Sequence, residues 1–165
     1  MLALCTLLNR PLQADDAEPI RIAVFDFELD DRSAGGGIIE PDAVDLENLA
    51  KSGEQARRLL EASGRYSLVD ASGAEDALAA AGGIGHCKGC EAALAKALGA
   101  ERSMAGLIAR VARTEYTIQI VVRDAHTGEI LSNDFTGLRL GANYSWPRGV
   151  KQLVKTQVLP ATDAE

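Results

Sequence analysis

The sequence predicts an α/β domain with helices packed on a mixed, five-stranded sheet. In the first half of the chain, segments with the apolar pattern of strands are separated by segments with helical spacing, an order that implies parallel strands joined by right-handed crossovers. In the second half, three strand-like segments follow one another with short turns, which predicts antiparallel pairing. The predicted order is therefore β-α-β-α-α-β-β-β-α, in a single domain at residues 15–165.

The first half contains two predicted strands and a long helix between them. Residues 20–27 (IRIAVFDF) are apolar and β-branched, which predicts a mostly buried strand. Residues 28–40 hold three consecutive glycines and several acids, and they are expected to form a mobile loop. A helix should then run over residues 41–64, because proline and acids suit a first turn and glycine suits a C-terminal cap. A short strand is predicted at residues 66–69.

The second half begins with short helices and ends with strands and a helix. An alanine-rich helix is expected after Ser72, a glycine-rich break follows it, and another helix is predicted over residues 91–98. The three consecutive strands are predicted at residues 102–111, 116–123 and 130–140. The last of them is the most polar and should lie nearest an edge of the sheet. The final helix, residues 145–159, has a proline in its first turn and apolar residues on one face.

Composition and charge exclude several kinds of partner. The 165-residue chain is long enough for one domain with a sizeable core, and it has no apolar stretch long enough to span a bilayer. The net charge is −7, and residues 26–47 alone carry eight acids against one base, Arg32. Because phosphate binding requires a basic surface, nucleic acid is not expected as a partner.

The first fourteen residues resemble the end of a secretory signal peptide. The apolar run MLALCTLL is followed by Pro11 and by Ala14, a small residue that suits cleavage, although the positively charged start of such signals is missing. We therefore expect export to the periplasm and a mature chain that begins after Ala14. Cleavage would remove Cys5 and leave Cys87 and Cys90 in an oxidising compartment, where thiols are normally bridged.

The segment GIGHCKGCEAAL, residues 83–94, has the composition of a redox or metal site. Covalent haem is excluded, because Cys90 is followed by Glu91 instead of histidine. Our preferred interpretation is a structural disulfide between Cys87 and Cys90 that orders a glycine-rich loop and caps the next helix. Two alternatives remain open. One is a thiol-redox pair, in which the helix dipole favours the thiolate of Cys87, and the other is a metal site formed by His86, Cys87 and Cys90.

The acids after the first strand form a second candidate site. In open α/β sheets, ligands bind beyond the carboxyl ends of parallel strands, where these acids lie. An EF-hand register from Asp26 fails, because it requires glycine and glutamate where the sequence has Asp31 and Gly37. We interpret the segment as a solvated surface that docks a partner protein. The partner-binding candidates are Asp26, Glu28, Asp30, Asp31, Glu40 and Asp42.

Patterns of common catalytic sites are missing from the sequence. It contains no Gly-x-Ser-x-Gly, no phosphate-binding loop and no His-Glu-x-x-His. The two histidines, His86 and His126, both fall in predicted turns. We therefore predict a protein that is not an enzyme, has no catalytic residues and needs no cofactor.

Several segments together resemble a known layout. IRIAVFDFE, LLEASGRYSLVD, LAKALGAERSMAGLIARV and YTIQIVVRDAHTGEILSNDFTG follow one another as in the TolB N-terminal domain superfamily, over about residues 20–159. Curli-secretion and penicillin-binding-protein-activator lipoproteins share that layout. Within the group, FDFELDD, CKGCEAALAKALGA and SWPRGVKQLV resemble an uncharacterised family of secreted bacterial proteins, often encoded near quinoprotein alcohol-dehydrogenase systems.

The resemblance implies a function as well as a fold. Relatives with this layout assemble, scaffold or activate other envelope proteins. The resemblance therefore implies a non-enzymatic periplasmic accessory or adaptor protein that acts on a protein partner. The alternative is a small thiol-redox or metal-handling protein that uses Cys87 and Cys90.

Overall fold

A computed structural model of the protein describes residues 18–38, 40–112, 114–139 and 143–161. The predicted signal at residues 1–14 lies outside these ranges, so it stays a prediction. Among the described residues, no helix has the length and apolar character needed to cross a membrane.

In the described ranges the chain forms six strands and five α-helices. The strands are β1 (Ile20–Val24), β2 (Glu28–Asp31), β3 (Tyr66–Val69), β4 (Arg102–Ala112), β5 (Glu115–Asp124) and β6 (Ile130–Arg139). The α-helices are α1 (Ala43–Ala62), α2 (Glu75–Ala80), α3 (Cys90–Ala97), α4 (Trp146–Leu153) and α5 (Leu159–Ala161). The 3-10 turns Ser72–Ala74 and Asn143–Ser145 precede α2 and α4, and the π-helical segment Val154–Val158 joins α4 to α5.

The strands form one mixed sheet in the order β3-β1-β4-β5-β6, with β2 also paired to β4. β1 runs parallel to both β3 and β4, as expected for strands connected through helices. β4, β5 and β6 pair antiparallel, and β6 lies at the edge. The predicted fold class is therefore confirmed, including its division into a parallel first half and an antiparallel second half.

The structure differs from the prediction at residues 28–31, which form β2 instead of a loop. β2 continues the line of β1 along β4, since Val24 pairs with Met104 and Glu28 pairs with Leu107. Between these two pairs, residues 25–27 lie opposite residues 105–106 of β4. The one extra residue is a β-bulge, and it shifts the apolar alternation of the strand by one position. For this reason the sheet has six strands instead of five.

The packing around the bulge explains why β2 joins the sheet. The Phe27 ring lies against Gly106 of β4, and a Cβ at position 106 would overlap this ring, so only glycine fits there. The Glu28 carboxylate accepts hydrogen bonds from the backbone N–H groups of Ile84 at 2.8 Å and Gly85 at 3.3 Å. Both ends of the short connection are thus fixed by contacts with distant parts of the chain.

The core occupies both faces of the sheet, with unequal size. α1 and α4 cover the face with the larger cluster, which includes Ile22, Val24, Leu60, Met104, Ile108, Ile118, Ile120, Trp146 and Val150. α2 and α3 cover a smaller cluster that includes Ala23, Phe25, Ala74, Leu78 and Ala95. Because successive residues from position 22 to 25 alternate between the two clusters, the clusters lie on opposite faces.

The last helix is present where it was predicted, but residues Val154–Val158 are π-helical. Trp146, at its start, is fully buried and meets the Tyr116 ring edge to face, with the ring centres 5.3 Å apart. A Cβ at Gly149 would come within 2.6 Å of Ile118 Cδ1. The glycine therefore lets α4 approach the sheet closely.

Candidate functional site

The acids that the sequence predicted as a docking site differ in whether they have a charged partner within the protein. Asp26 accepts a hydrogen bond at 2.5 Å from Arg57 Nη2 of α1, which also donates to the Val24 carbonyl at 3.0 Å. Glu28 accepts the two backbone hydrogen bonds described above. These two acids therefore fix the end of β1 and the start of β2.

Asp31 belongs to a charged cluster around Arg110, near the end of β4. Arg110 Nη1 donates to Asp31 Oδ2 at 3.0 Å, and Nη2 donates to both carboxylate oxygens of Asp45 at 2.6 Å. The side-chain amide of Asn143 donates to Asp45 Oδ1 at 3.0 Å. The guanidinium carbon lies 5.7 Å from the centre of the Tyr116 ring, within the range of a cation–π contact. Because the Asp45 side chain is only 4% exposed, its charge depends on these partners.

Two members of the cluster, Arg110 and Asp31, have displaced pKa values. Burial acts to lower the pKa of Arg110, but the hydrogen bonds to Asp45 and Asp31 outweigh burial and raise this pKa well above its ordinary value. Hydrogen bonds from Ser33 hold the pKa of the Asp31 carboxyl below its usual range, and Arg110 adds to the effect. Both directions favour the ionised forms at neutral pH.

The sequence reasoning missed both Asp45 and Arg110 as partners. The two residues are 65 positions apart, so no local pattern connects them. One signal was present, because Arg110 places a charge within a mostly apolar strand, and a charge in such a position requires a partner. By charge alone, Asp45 could not be distinguished in the sequence from the other acids of residues 26–47, which are mostly exposed.

A groove of about 630 Å³ opens beside the Arg110 cluster. Its walls are the loop after β2, the start of α1 and the end of β4. The charged residues that line it are Asp31, Glu40, Asp42, Asp45 and Arg110. Four acids against one base give this lining a charge of −3. The groove therefore attracts positively charged groups.

Exposed apolar side chains occur in the chain segments that form the groove. Seven large apolar side chains are exposed in the described part of the chain, and five of them lie at this end of the domain: Ile38, Val44, Leu46, Val111 and Tyr144. Val111 lines the groove, and each of the other four is within two residues of a residue that lines it. We call the surface formed by these five side chains together with Glu40 and Asp42 the acidic end.

Of the remaining predicted acids, Glu40 and Asp42 are exposed and Asp30 is half-buried. Asp30 forms a surface ion pair with Arg32 at 2.6 Å, a kind of pair that contributes little to stability. Asp42 caps α1 by accepting a hydrogen bond from the backbone N–H of Asp45 at 2.8 Å. Neither Glu40 nor Asp42 has an ion-pair partner among the described residues. The structure thus brings Asp42, Glu40 and the paired Asp31 together at the groove.

A second crevice, of about 610 Å³, is lined by two other predicted acids, Asp26 and Glu28. It lies at the carboxyl ends of the parallel strands β1 and β3, a usual ligand position in open α/β sheets. Its lining includes the apolar Phe25, Leu68 and Leu78 as well as Asp26 and Glu28. Five of the six predicted docking residues are therefore divided between two separate depressions, and Asp30 lines neither of them.

Cys87 and Cys90 are joined by a disulfide at the start of α3, with their Cα atoms 5.3 Å apart. Between them, Lys88 and Gly89 take left-handed conformations, with φ of 51° and 103°. Ligand atoms of Cys87, Cys90 and Glu91 lie within 4.8 Å of one another. The alternative metal set included His86, but this side chain is exposed and does not join the group.

Glu91 is buried against the disulfide and is paired with β5. Arg123 Nε donates to Glu91 Oε1 at 2.8 Å, while Oε2 lies 3.6 Å from Cys87 Sγ. Arg123 also donates to the Gly128 carbonyl at 3.2 Å. Neither charged residue was predicted to belong to the site. Alternation along β5 places Arg123 on the polar side of the strand, and it does not indicate that a helix packs against that side.

The family of the chain follows from a comparison with known sequence families. The profile of DUF3280, described as "Protein of unknown function (DUF2380)", matches residues 20–158. The chain belongs to this family. A comparison of this DUF3280 protein with curated proteins finds no match. The predicted membership in an uncharacterised family is thus confirmed.

Solved structures similar to the DUF3280 chain come from bacterial proteins. Lipoprotein GNA1162 from Neisseria meningitidis matches with a TM-score of 0.50 and 16% identity, over 88% of this chain and 99% of that one. The C-terminal domain of LpoB from Salmonella enterica gives a TM-score of 0.49 and 18% identity, over 78% and 89% of the two chains. TolB from Acinetobacter baumannii gives 0.43 and 15%, over 87% of this chain and 29% of that one. At these identities the likeness to GNA1162 concerns the fold.

Proposed function

We propose that this DUF3280 protein is a non-enzymatic accessory or adaptor protein of the bacterial periplasm that binds a partner protein through its acidic end. One observation carries the proposal: of the seven large apolar side chains exposed in the described part of the chain, five belong to the segments that form a groove whose lining has a charge of −3. Groups of exposed apolar side chains often mark protein-binding surfaces. The partner surface that fits is apolar and carries a basic side chain that enters the groove.

The likeness in fold supports a role in the envelope. GNA1162 is named as a lipoprotein and shares this fold over nearly its whole length. We propose the same compartment for this chain, with residues 1–14 removed on export and residues 15–165 as the mature domain. The link to quinoprotein alcohol-dehydrogenase systems remains a prediction. Proteins of such systems are therefore the first partners to test.

The carboxyl groups with displaced pKa values are not suited to general acid catalysis. Among the described residues, they all have a pKa below the usual range, because hydrogen bonds favour their ionised forms. They are Asp31, Glu47, Asp70, Glu101 and Asp124. A general acid at neutral pH requires the opposite, a carboxyl whose pKa is raised. These groups act as fixed anions instead.

A pull-down from envelope extract tests the proposal. The bait is the mature domain, and the double variant Glu40→Lys with Leu46→Ser changes two exposed side chains of the acidic end. We expect it to lose a partner that the wild type retains at low salt and releases at high salt, because exposed charges are screened. The double variant Glu54→Lys with Ile130→Ser makes the same two changes elsewhere on the surface and should retain that partner.

Other outcomes of the pull-down would contradict the proposal. If both double variants keep every salt-sensitive partner, the acidic end is not the docking surface. If only the double variant Cys87→Ser with Cys90→Ser loses the partner, the functional site lies at the cysteine pair. That result, or turnover in an insulin-reduction assay, would favour the small thiol-redox or metal-handling protein. Thermal unfolding of each bait beforehand separates lost binding from lost folding.

A further inference from the structure

The cysteine pair and the buried Glu91 beside it lead to a second, independent inference. We propose that reduction of the Cys87–Cys90 disulfide opens a site for a divalent metal ion such as Zn²⁺, with two thiolates and the Glu91 carboxylate as its ligands. Ligand atoms of the three residues lie within 4.8 Å of one another, and no other such group is found among the described residues. The inference does not depend on the adaptor function.

One short stretch of backbone places all three ligands. Cys90 and Glu91 are the first two residues of α3, and Cys87 is held across a two-residue turn, with 5.3 Å between the cysteine Cα atoms. The same Cys-x-x-Cys spacing supplies ligand pairs in many zinc sites. Two sulfurs bound tetrahedrally to one zinc ion at about 2.3 Å lie about 3.8 Å apart, so the reduced sulfurs must separate by only a small movement. Gly89 gives the turn the freedom to make it.

The charges around the site balance for a divalent ion. Two thiolates and the Glu91 carboxylate supply −3, and Arg123, at 2.8 Å from Glu91 Oε1, supplies +1. The remaining −2 is neutralised by one divalent cation. Such balance matters here because Glu91 is only 3% exposed, and buried charges require compensation. Oε1 can stay with Arg123 while Oε2, which faces Cys87, binds the ion.

The ligand types select the kind of ion. Thiolates favour soft or borderline metals such as zinc, whereas calcium and magnesium prefer sites made only of oxygen ligands. Three protein ligands leave a fourth zinc position for water or another small ligand. The proposed third ligand is Glu91 and not His86, whose side chain is exposed and outside the group.

Opening the site is a balanced two-electron reduction. A dithiol reductant transfers two electrons and two protons, the Cys87–Cys90 bond breaks, two thiols form and the reductant becomes a disulfide. The metal ion then displaces the two thiol protons into solvent. Reoxidation of the pair by a disulfide acceptor would expel the ion, so that binding follows the redox state of the compartment.

Metal titration of the reduced, reductant-free wild type under argon tests the proposal. Calorimetry with Zn²⁺ and the ultraviolet thiolate absorption of added Cd²⁺ should both show one ion per chain, and oxidised protein should show none. Glu91→Gln should weaken binding at least about tenfold, since it removes a ligand. Arg123→Gln breaks the same ion pair but leaves the three ligands, so it should weaken metal binding less than Glu91→Gln does.

Several results would overturn the proposal. Reduced wild type that binds no ion would do so, as would Glu91→Gln that binds as tightly as the wild type. If Glu91→Gln and Arg123→Gln weaken metal binding equally, binding depends on the ion pair between these residues and not on Glu91 as a ligand. Zinc-edge X-ray absorption of the loaded wild type requires no variant, and it should show two sulfur ligands with lighter atoms. Four sulfur ligands, from two chains that share one ion, would contradict the site.

Discussion

The ion pair between Asp45 and Arg110 should be the most sensitive polar contact of the fold. Asp45→Asn keeps the shape of the side chain and removes its charge. Breaking a buried pair costs about 3–5 kcal/mol when the remaining charge is left alone. Arg110 keeps Asp31 at 3.0 Å, and its own side chain is 18% exposed. We therefore expect the lower end of that range, a loss of about 3 kcal/mol in the free energy of unfolding.

Two neighbouring acids provide graded controls for this estimate. Asp31→Asn removes one hydrogen bond to Arg110 from a side chain that is 14% exposed, and it should cost about 1–2 kcal/mol. Asp30→Asn removes only the surface pair with Arg32, and it should cost less than about 1 kcal/mol. The expected order of destabilisation is therefore Asp45, then Asp31, then Asp30.

Urea unfolding followed by circular dichroism measures these differences, and an unchanged slope with urea would show that the cause is stability. For a domain of this size, about 3 kcal/mol corresponds to a fall of about 6–12 °C in Tm. Adding Arg110→Met to Asp45→Asn should cost at most about 1–2 kcal/mol more, because it removes the hydrogen bond to Asp31 but also the charge that was left underpaired. The buried pair does not have the expected strength if the free energy of unfolding of Asp45→Asn stays within about 1 kcal/mol of the wild-type value, or if Asp30→Asn lowers this free energy as much as Asp45→Asn does.

Three further outcomes are expected. Gly106→Ala should destabilise by about 1–3 kcal/mol because its Cβ would overlap a phenyl ring, whereas Gly137→Ala, with open space around it, should change stability by less than about 0.5 kcal/mol. Equal urea midpoints for these two variants would contradict the packing of the bulge. Hydrogen bonds from the backbone N–H groups of Thr127 and His126 lower the pKa of Asp124 in the folded state, so its contribution to stability is complete above about pH 4 and is lost as the pH falls through that lowered pKa. The difference in unfolding free energy between wild type and Asp124→Asn should therefore narrow below about pH 4, and a constant difference would oppose this explanation. Reduction of the disulfide should cost no more than about 2 kcal/mol because the loop it closes is short, and loss of the far-ultraviolet dichroism of the whole domain would contradict that estimate.

Apolar periodicity predicted most of the fold because it is a local property of the chain. β3 has the predicted bounds, Tyr66–Val69, and the three antiparallel strands end within one residue of their predicted positions. β2 escaped prediction because the bulge before it shifts the alternation, and because only Leu29 in its sequence ELDD is apolar. The contacts that place β2 in the sheet, with Gly106 and Arg110 of β4, come from residues far along the chain.

The partners within the candidate sites depend on tertiary contacts that no local pattern contains. Arg123 is 32 positions from Glu91, and the ion pair of Arg110 and Asp45 spans 65. Helical spacing does indicate that Asp45 is buried, since it lies one turn before the buried Leu49 on the same face of α1. The charge count does not distinguish paired acids from solvated ones, so the predicted docking set includes Asp31, which is paired with Arg110, and leaves out Asp45.

Near the acidic end, the acids paired with Arg110 contribute to the stability of the fold, whereas the exposed acids are available to bind a partner. Reversing the charge of Asp31 would place a cation beside Arg110, and folding and partner binding would weaken together. Reversing the charge of Glu40, which is exposed, should change only the attraction for a basic partner. Salt affects the two groups differently. Interactions between exposed charges are largely screened beyond a Debye length of about 8 Å at physiological salt, whereas buried pairs are much less affected. Salt should therefore release a partner from the acidic end at concentrations where the fold held by Asp45 and Arg110 remains intact.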